Sequence, residues 1–217
     1  MKITLPESIK DITLGEFQAY DILVNQLKDE EVSEKEFVSR KISLFSGIPY
    51  NQLKNVLTED LEDILNTIDK ALNEECYFES RFTLDGVDFG FIDNLNDVKP
   101  SSKYGLDNET SGAYFDMINY SSETETLHKL MCILFRPIKS VDAFGNYKVK
   151  KYKGTSKYGE LMKKMPLNIV NGCLVFFLNL SRELEIHILK STKVEQVKEK
   201  KQVSTLNNGD GTAQSTL

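Results

Sequence analysis

The chain has 217 residues, enough for one large domain or two small ones, and its hydrophobic (40%) and charged (28%) fractions are those of an ordinary globular fold. Its three cysteines are widely spaced and odd in number, with no CxxC pair, which argues against a disulfide framework or a zinc ribbon and for reduced thiols. The formal net charge of -6 is unevenly placed: the first hundred residues hold acidic runs such as DEEVSEKE and TEDLEDI, and the basic runs KVKKYK and KSTKVEQVKEKK come later.

MKITLPESIKDITLGE lacks the basic segment and apolar run of a secretory leader, and ITLP reads as a short strand. Thr13 and Glu16 have the spacing of a capping box, in which hydroxyl and carboxylate satisfy free amides at a helix start. Phe17, Tyr20, Ile22, Leu23 and Leu27 then form a helical stripe. Ser33 and Glu36 form a second capping-box pattern and introduce a helix that ends at Gly47, with Pro49 just beyond. NQLKNVL and LEDILNTIDKALNEE predict two more helices, with Thr58 as the cap between them.

The pattern changes near Cys76. YFESRFTLDGVDFGFI alternates around Asp85-Gly86 and predicts a hairpin, since a type I′ turn needs positive φ. After a polar section, Ser122 and Glu125 are placed to cap a helix ETLHKLMCILFRPI that Pro137 closes; Arg136 at its end would bond the last carbonyls. VDAFGNYKVKKY predicts a second hairpin around Gly145-Asn146. The segment 158–191 reads as one or two helices with a break at Met165-Pro166, and it includes NIVNGCLVFFLNL. That run is too short and too interrupted by Asn168, Asn171 and Asn179 to span a bilayer, so it belongs in a core. Residues after about 193 cannot bury enough apolar surface to offset their ordering entropy.

The fold class expected is therefore α+β, mainly helical, with one or two small β-hairpins and a disordered or extended C-terminal arm. The expected parts are 1–75 (helical), 76–192 (hairpin plus the most apolar helices) and 193–217 (tail). A faint echo between LPESIKDI and FIDNLNDV raises the alternative of two related halves, each a strand followed by helices, against chance similarity of short apolar patterns.

No catalytic, cofactor or metal constellation is evident. His128 and His187 lie in apolar helical contexts without HExxH spacing or a Cys/His cluster, and read as helix-surface or core-edge residues. There is no phosphate-cradling glycine loop and no GxSxG. Carboxylate pairs such as Glu59-Asp60 and Glu62-Asp63 fit a solvated helix face. One stretch carries two readings. Tyr147, Tyr152 and Tyr158 interleave with Lys148, Lys150, Lys151, Lys153 and Lys157, a composition suited to stacking bases and contacting phosphates. The same lysines would also keep a hairpin edge from pairing with other chains.

Taken together, LPESIKDITLGEFQAYD, RKISLFSGIPY, LHKLM with Arg136-Pro137-Ile138, Tyr152–Thr155 (YKGT) and Met165-Pro166 resemble small proteins encoded among the virion-structure genes of tailed phages, in particular the crAss-like phages of Bacteroides. The likeness covers roughly residues 3–190. It implies a non-enzymatic virion component synthesised in the host cytoplasm. Its partners would be the portal and the tail barrel or ring proteins; a weak contact to DNA through Lys148, Lys150, Lys151 and Lys153 rests on the tyrosine–lysine stretch alone. The role implied first is a cargo protein ejected through the tail; the alternatives are a tail assembly chaperone for the tape-measure protein and a fixed tail or collar ring subunit. None of the resembling motifs is catalytic, so no site residue, cofactor or small-molecule ligand follows from them.

Overall fold

The computed structural model describes residues 4–92, 109–179 and 182. It is mainly helical with one four-stranded antiparallel sheet, the α+β class expected from the sequence. The chain divides into a unit of residues 1–173 and a unit of residues 174–217.

The first unit opens with a 3-10 turn over Ile9–Asp11, and Thr4–Pro6, where a strand was expected, is irregular. Helix α1 (Leu14–Lys28) starts with the capping box that the sequence predicts: the Thr13 hydroxyl accepts from the Glu16 amide, and the Glu16 carboxylate accepts from the Thr13 amide. Helix α2 (Glu34–Ser46) is capped by Ser33, but the expected box is only half formed, since the Glu36 carboxylate pairs with Arg40; the helix ends on Gly47, whose φ of 67° is the left-handed conformation that glycine adopts without penalty. NQLKNVL forms a 3-10 turn over Tyr50–Asn55. Helix α3 (Thr58–Leu72) departs from expectation at its start. Thr58 is the first helical residue, and Leu57 at the cap offers no side-chain acceptor. Acidic Glu59 and Asp60 instead complement the positive helix end. α3 buries Ile64, Ile68 and Ala71 and exposes Glu59, Asp60, Glu62 and Asp63, a solvated acidic face.

Strands β1 (Arg81–Leu84) and β2 (Val87–Phe91) form the predicted hairpin, with Asp85 and Gly86 at φ of 47° and 75°. Helix α4 (Glu109–Tyr120) follows. The expected Ser122 cap is replaced by a 3-10 turn over Thr124–Thr126, where the Thr126 hydroxyl donates to the carbonyls of Tyr120 and Glu123. Helix α5 (Leu127–Leu134) is shorter than predicted and runs straight into β3 (Phe135–Val141). Pro137 explains the switch: it disfavours the helical region for Arg136 and cannot donate a helix hydrogen bond. β4 (Tyr147–Val149) completes the second predicted hairpin, and the sheet order is β1-β2-β3-β4.

Phe82, Phe89, Phe91 and Phe135 pack ring to ring on one face of the sheet, with centroids 5.2–5.4 Å apart. Helix α6 (Gly159–Met162) and helix α7 (from residue 167) flank the predicted break at Met165-Pro166. Backbone bonds from Leu14 to Met165, from Gly15 to Lys163 and from Leu167 to Ile12 tie the first helix to this break. Ile169, Val170 and Cys173 are buried, as expected for the first half of NIVNGCLVFFLNL. Residues 4–75 contain no strand, so a repeated strand-then-helices unit is absent among the described residues.

In the second unit residues 174–179 are helical, with the Phe176 and Phe177 rings edge to face at 5.7 Å. The predicted tail, 193–217, and His187 lie outside the described residues. Among the described residues no helix is long and apolar enough to cross a membrane.

Candidate polyanion-binding groove

Where α5 gives way to β3, the chain builds a groove of about 630 Å³. Its base is made of buried residues from the helix–strand junction: Cys132, Arg136 and Pro137. One side is the β3–β4 ribbon, and the other is the loop that returns through Gly154 (φ 83°) to α6. Around this base stand six exposed lysines: Lys139, Lys148, Lys150, Lys151, Lys153 and Lys157. Among the described residues no Asp or Glu lines the groove. On a chain of net charge -6, this concentrates positive potential at one place.

The strand register explains the convergence. β3 and β4 pair antiparallel, with Ile138 opposite Val149 and Ser140 opposite Lys148, and the register shifts between Ile138 and Ser140. Lys139 sits at that irregularity, a place where bulges re-aim side chains, and it lines the groove with Lys148 of β4. The Lys150 amide still bonds the Pro137 carbonyl at 2.8 Å, which holds the start of the loop against the sheet.

Arg136 has two neighbours that fix it. Its Nε donates to the Ile133 carbonyl at 2.9 Å, so it does bond the end of α5 as expected, although from a strand. Its guanidinium lies 5.4 Å from the Tyr152 ring centroid. The Tyr152 hydroxyl donates to Asp116 on α4 at 2.6 Å, and burial and this bond together raise the phenol above its ordinary range. The Cys132 thiol is pushed up to about 11, mainly by burial and against a smaller opposing pull from Arg136. It is a thiol, not a thiolate, at neutral pH.

The structure separates the three tyrosines that the sequence interleaves with lysine. Tyr147 turns to the opposite side of the sheet, where its hydroxyl donates to the carbonyls of Phe91 (3.0 Å) and Ser80 (3.2 Å). Tyr152 is buried. Tyr158 alone presents a half-buried ring in the groove, backed edge to face by Phe89 at 5.5 Å and approached by Lys157 Nζ at 5.0 Å. Of the cations, Lys148, Lys150, Lys151 and Lys153 come together as the sequence suggests. Lys139 and Arg136 are additions that the hairpin alone could have signalled, because folding it about Gly145 brings β3 beside β4.

The remaining candidates resolve into structural roles. His128 is buried, not at the core edge, and burial followed by the charge of Lys163 holds its pKa below the ordinary value. Cys132 and Cys173 are buried free thiols, the latter pushed up to about 12 by burial. A second concavity beside α1 contains Asp11 and Glu16, but both carboxylates accept main-chain amides of their own turns. Among the described residues no group of three His, Cys, Asp or Glu is placed to hold a metal. Comparison with protein-family models, with curated proteins and with solved structures gives no match.

Proposed function

We propose that the chain is a non-enzymatic virion protein of a tailed phage, associated with the portal and tail and carried as cargo with the packaged genome. In this reading the basic groove is its contact with the DNA backbone. The observation that supports it most is the carboxylate-free groove with seven cationic side chains, on a chain that is acidic as a whole. Chance placement on such a chain would intersperse Asp and Glu. The resemblance of residues 3–190 to tailed-phage virion proteins supplies the setting, in which duplex DNA presents about one negative charge per 1.7 Å of its axis.

Lysine contacts to phosphate position a protein on nucleic acid without reading sequence, and they weaken steeply with salt. That mode suits a protein that accompanies a genome of any sequence and must let it go. Titration of the full-length protein with random-sequence DNA at rising salt should give log affinity falling linearly with log salt. Absence of binding at low salt would remove the DNA contact. Mass spectrometry of purified particles should find the chain at a reproducible copy number. Finding it only in infected cells, in complex with the tape-measure protein, would replace the cargo role with the chaperone role.

A further inference from the structure

We infer that the groove is shaped for a single strand of nucleic acid, held by its phosphates and by one base stacked on Tyr158, and that a duplex meets only the rim. The inference rests on the reading of the groove as a nucleic-acid contact and specifies its ligand.

Three observations carry it. The first is size. A concavity of about 630 Å³ is on the scale of small-ligand sites, with room for a few nucleotide units. Duplex DNA is stiff over roughly 150 bp and cannot bend into a hollow of that scale. A single strand can follow it, because its backbone rotates freely between phosphates.

The second is the arrangement of charge. Lys139 and Lys148 come from the ribbon and Lys153 and Lys157 from the loop that follows it, so cations from two chain segments line one concavity. A single backbone lying within it is in reach of both segments.

The third is Tyr158. Its ring is half-buried in the groove, held from behind by Phe89 with the ring planes at 88°. The residue precedes Gly159 and the first turn of α6, so its backbone is fixed by secondary structure. A pre-set ring beside lysines is the stacking platform of sequence-tolerant single-strand binders, worth about 1–3 kcal/mol per base. Tyr152 cannot serve the same purpose, because it is buried and Asp116 holds its hydroxyl. One platform predicts weak discrimination among bases.

The test uses the full-length protein and four fluorescent probes in anisotropy titrations: oligo-dT and oligo-rU of about 12 nucleotides, within the known range of single-strand site sizes, a random duplex of equal charge, and inorganic polyphosphate. The expected result is that at least one single strand binds about tenfold or more tighter than both duplex and polyphosphate, with a salt slope near -0.7 per phosphate neutralised, in place of the -0.9 of duplex. The ratio of the two oligonucleotides assigns DNA or RNA as the source. Tyr158→Ala should weaken the single strand by about 5- to 150-fold, as loss of one stacked base does, and Tyr158→Phe should restore it. The exposed pair Lys153→Glu/Lys157→Glu, which leaves the Phe89 contact intact, should lower single-strand affinity at least as much.

Duplex or polyphosphate binding as tightly as the single strands would overturn the inference while leaving a backbone contact in place. So would unchanged single-strand affinity in the lysine pair variant. No salt-sensitive binding of any probe by folded protein would overturn the groove reading itself.

Discussion

The side-chain nitrogen of Gln18 stands 3.0 Å from His128 Nδ1 while facing the carbonyls of Thr124 (2.7 Å) and Glu125 (2.8 Å). Two carbonyls can only accept, so the amide cannot turn its oxygen toward them. Nδ1 of the imidazole faces the amide nitrogen, and Nε2 lies 3.7 Å from Glu160 Oε1. A link between α1 and α5 thus fixes the position of the ring.

Burial and the charges of Lys163 and Lys129 lower the His128 pKa below 6.5, against an opposing pull from Glu160. The unfolded chain binds this proton more readily than the folded one. The contribution to stability is present above pH 6.5 and is lost as the pH falls through the lower folded value. Thermal melts should show the Tm dropping over this interval, before the carboxylates titrate. His128→Leu leaves both Gln18 N–H groups with carbonyl partners, so at pH 7 it should cost no more than about 1 kcal/mol. Its Tm should fall less between pH 6.5 and pH 5. An unchanged pH profile in the variant would refute the assignment.

Gly90 and Tyr147 form a second coupled pair. A Cβ on Gly90 would collide with Cε2 of the Tyr147 ring and meet Cδ2 at 2.8 Å. The ring is held there by its hydroxyl bonds to Phe91 and Ser80 and by Arg81, whose guanidinium lies 4.3 Å from its centroid. Gly90→Ala should therefore destabilise by about 1–3 kcal/mol, the usual range for overpacking. The same change in a Tyr147→Ala background should be nearly neutral. Urea denaturation of the four proteins measures the coupling, and additive effects would show that the ring is not what excludes the methyl group.

The features legible in the sequence are those with local causes. Thr13 with Glu16, Gly47 and Asp85-Gly86 each act within a few residues, and each forms the turn or cap that its chemistry predicts. The misplaced boundaries depend on competition. Apolar periodicity carries α5 onward through Phe135, yet Pro137 sends the chain into a strand from Phe135, two residues before it. The groove shows the same division. Lysines 148–153 are adjacent in sequence and so were visible, whereas Lys139 joins them only through the register of β3 with β4. Side-chain direction was hidden as well: Tyr147 and Tyr152 look alike in the sequence, but Tyr147 turns away to the Phe91 carbonyl and Tyr152 lies buried in the groove wall. Lys41 is a further case. No local feature of α2 marks it, yet it is 6% exposed, with its ammonium paired to Asp69 and 5.3 Å from the Tyr20 ring.

Two helical glycines should respond oppositely to alanine. Gly112 on α4 is exposed and has nothing within 4 Å of a built Cβ, so Gly112→Ala should stabilise by about 0.5–1 kcal/mol through reduced unfolded-chain entropy. Gly172 on α7 faces the Tyr77 carbonyl, and an added Cβ would overlap it and lie 3.1 Å from the Phe78 nitrogen. Backbone cannot rotate away as a side chain can. Gly172→Ala should lose about 1–3 kcal/mol despite its better helix propensity. Equal effects of the two substitutions in chemical denaturation would contradict this close approach.

The groove's ribbon depends on Asp142. Its Oδ1 accepts the amides of Phe144 (2.9 Å) and Asn146 (2.8 Å), and its Oδ2 accepts the Asn146 side chain (2.9 Å). These bonds, the Asn146 side chain first, hold the carboxyl below its ordinary range. Arg81 bonds the Gly145 carbonyl and ties the turn to β1. The turn thus presents Phe144, 92% exposed, at a fixed tip and sets the register that places Lys139 beside Lys148. Asp142→Ala should raise amide exchange across residues 139–149 and weaken groove binding, while global Tm changes little because the turn buries no core. Asp142→Asn keeps one oxygen for the two main-chain amides and should fall between. Because the folded pKa is the lower one, the order this carboxylate gives the ribbon is complete above pH 3.8 and is lost as pH falls through the folded value. If Asp142→Ala leaves both exchange and groove affinity unchanged, the ribbon is ordered by the sheet alone and the turn only closes it.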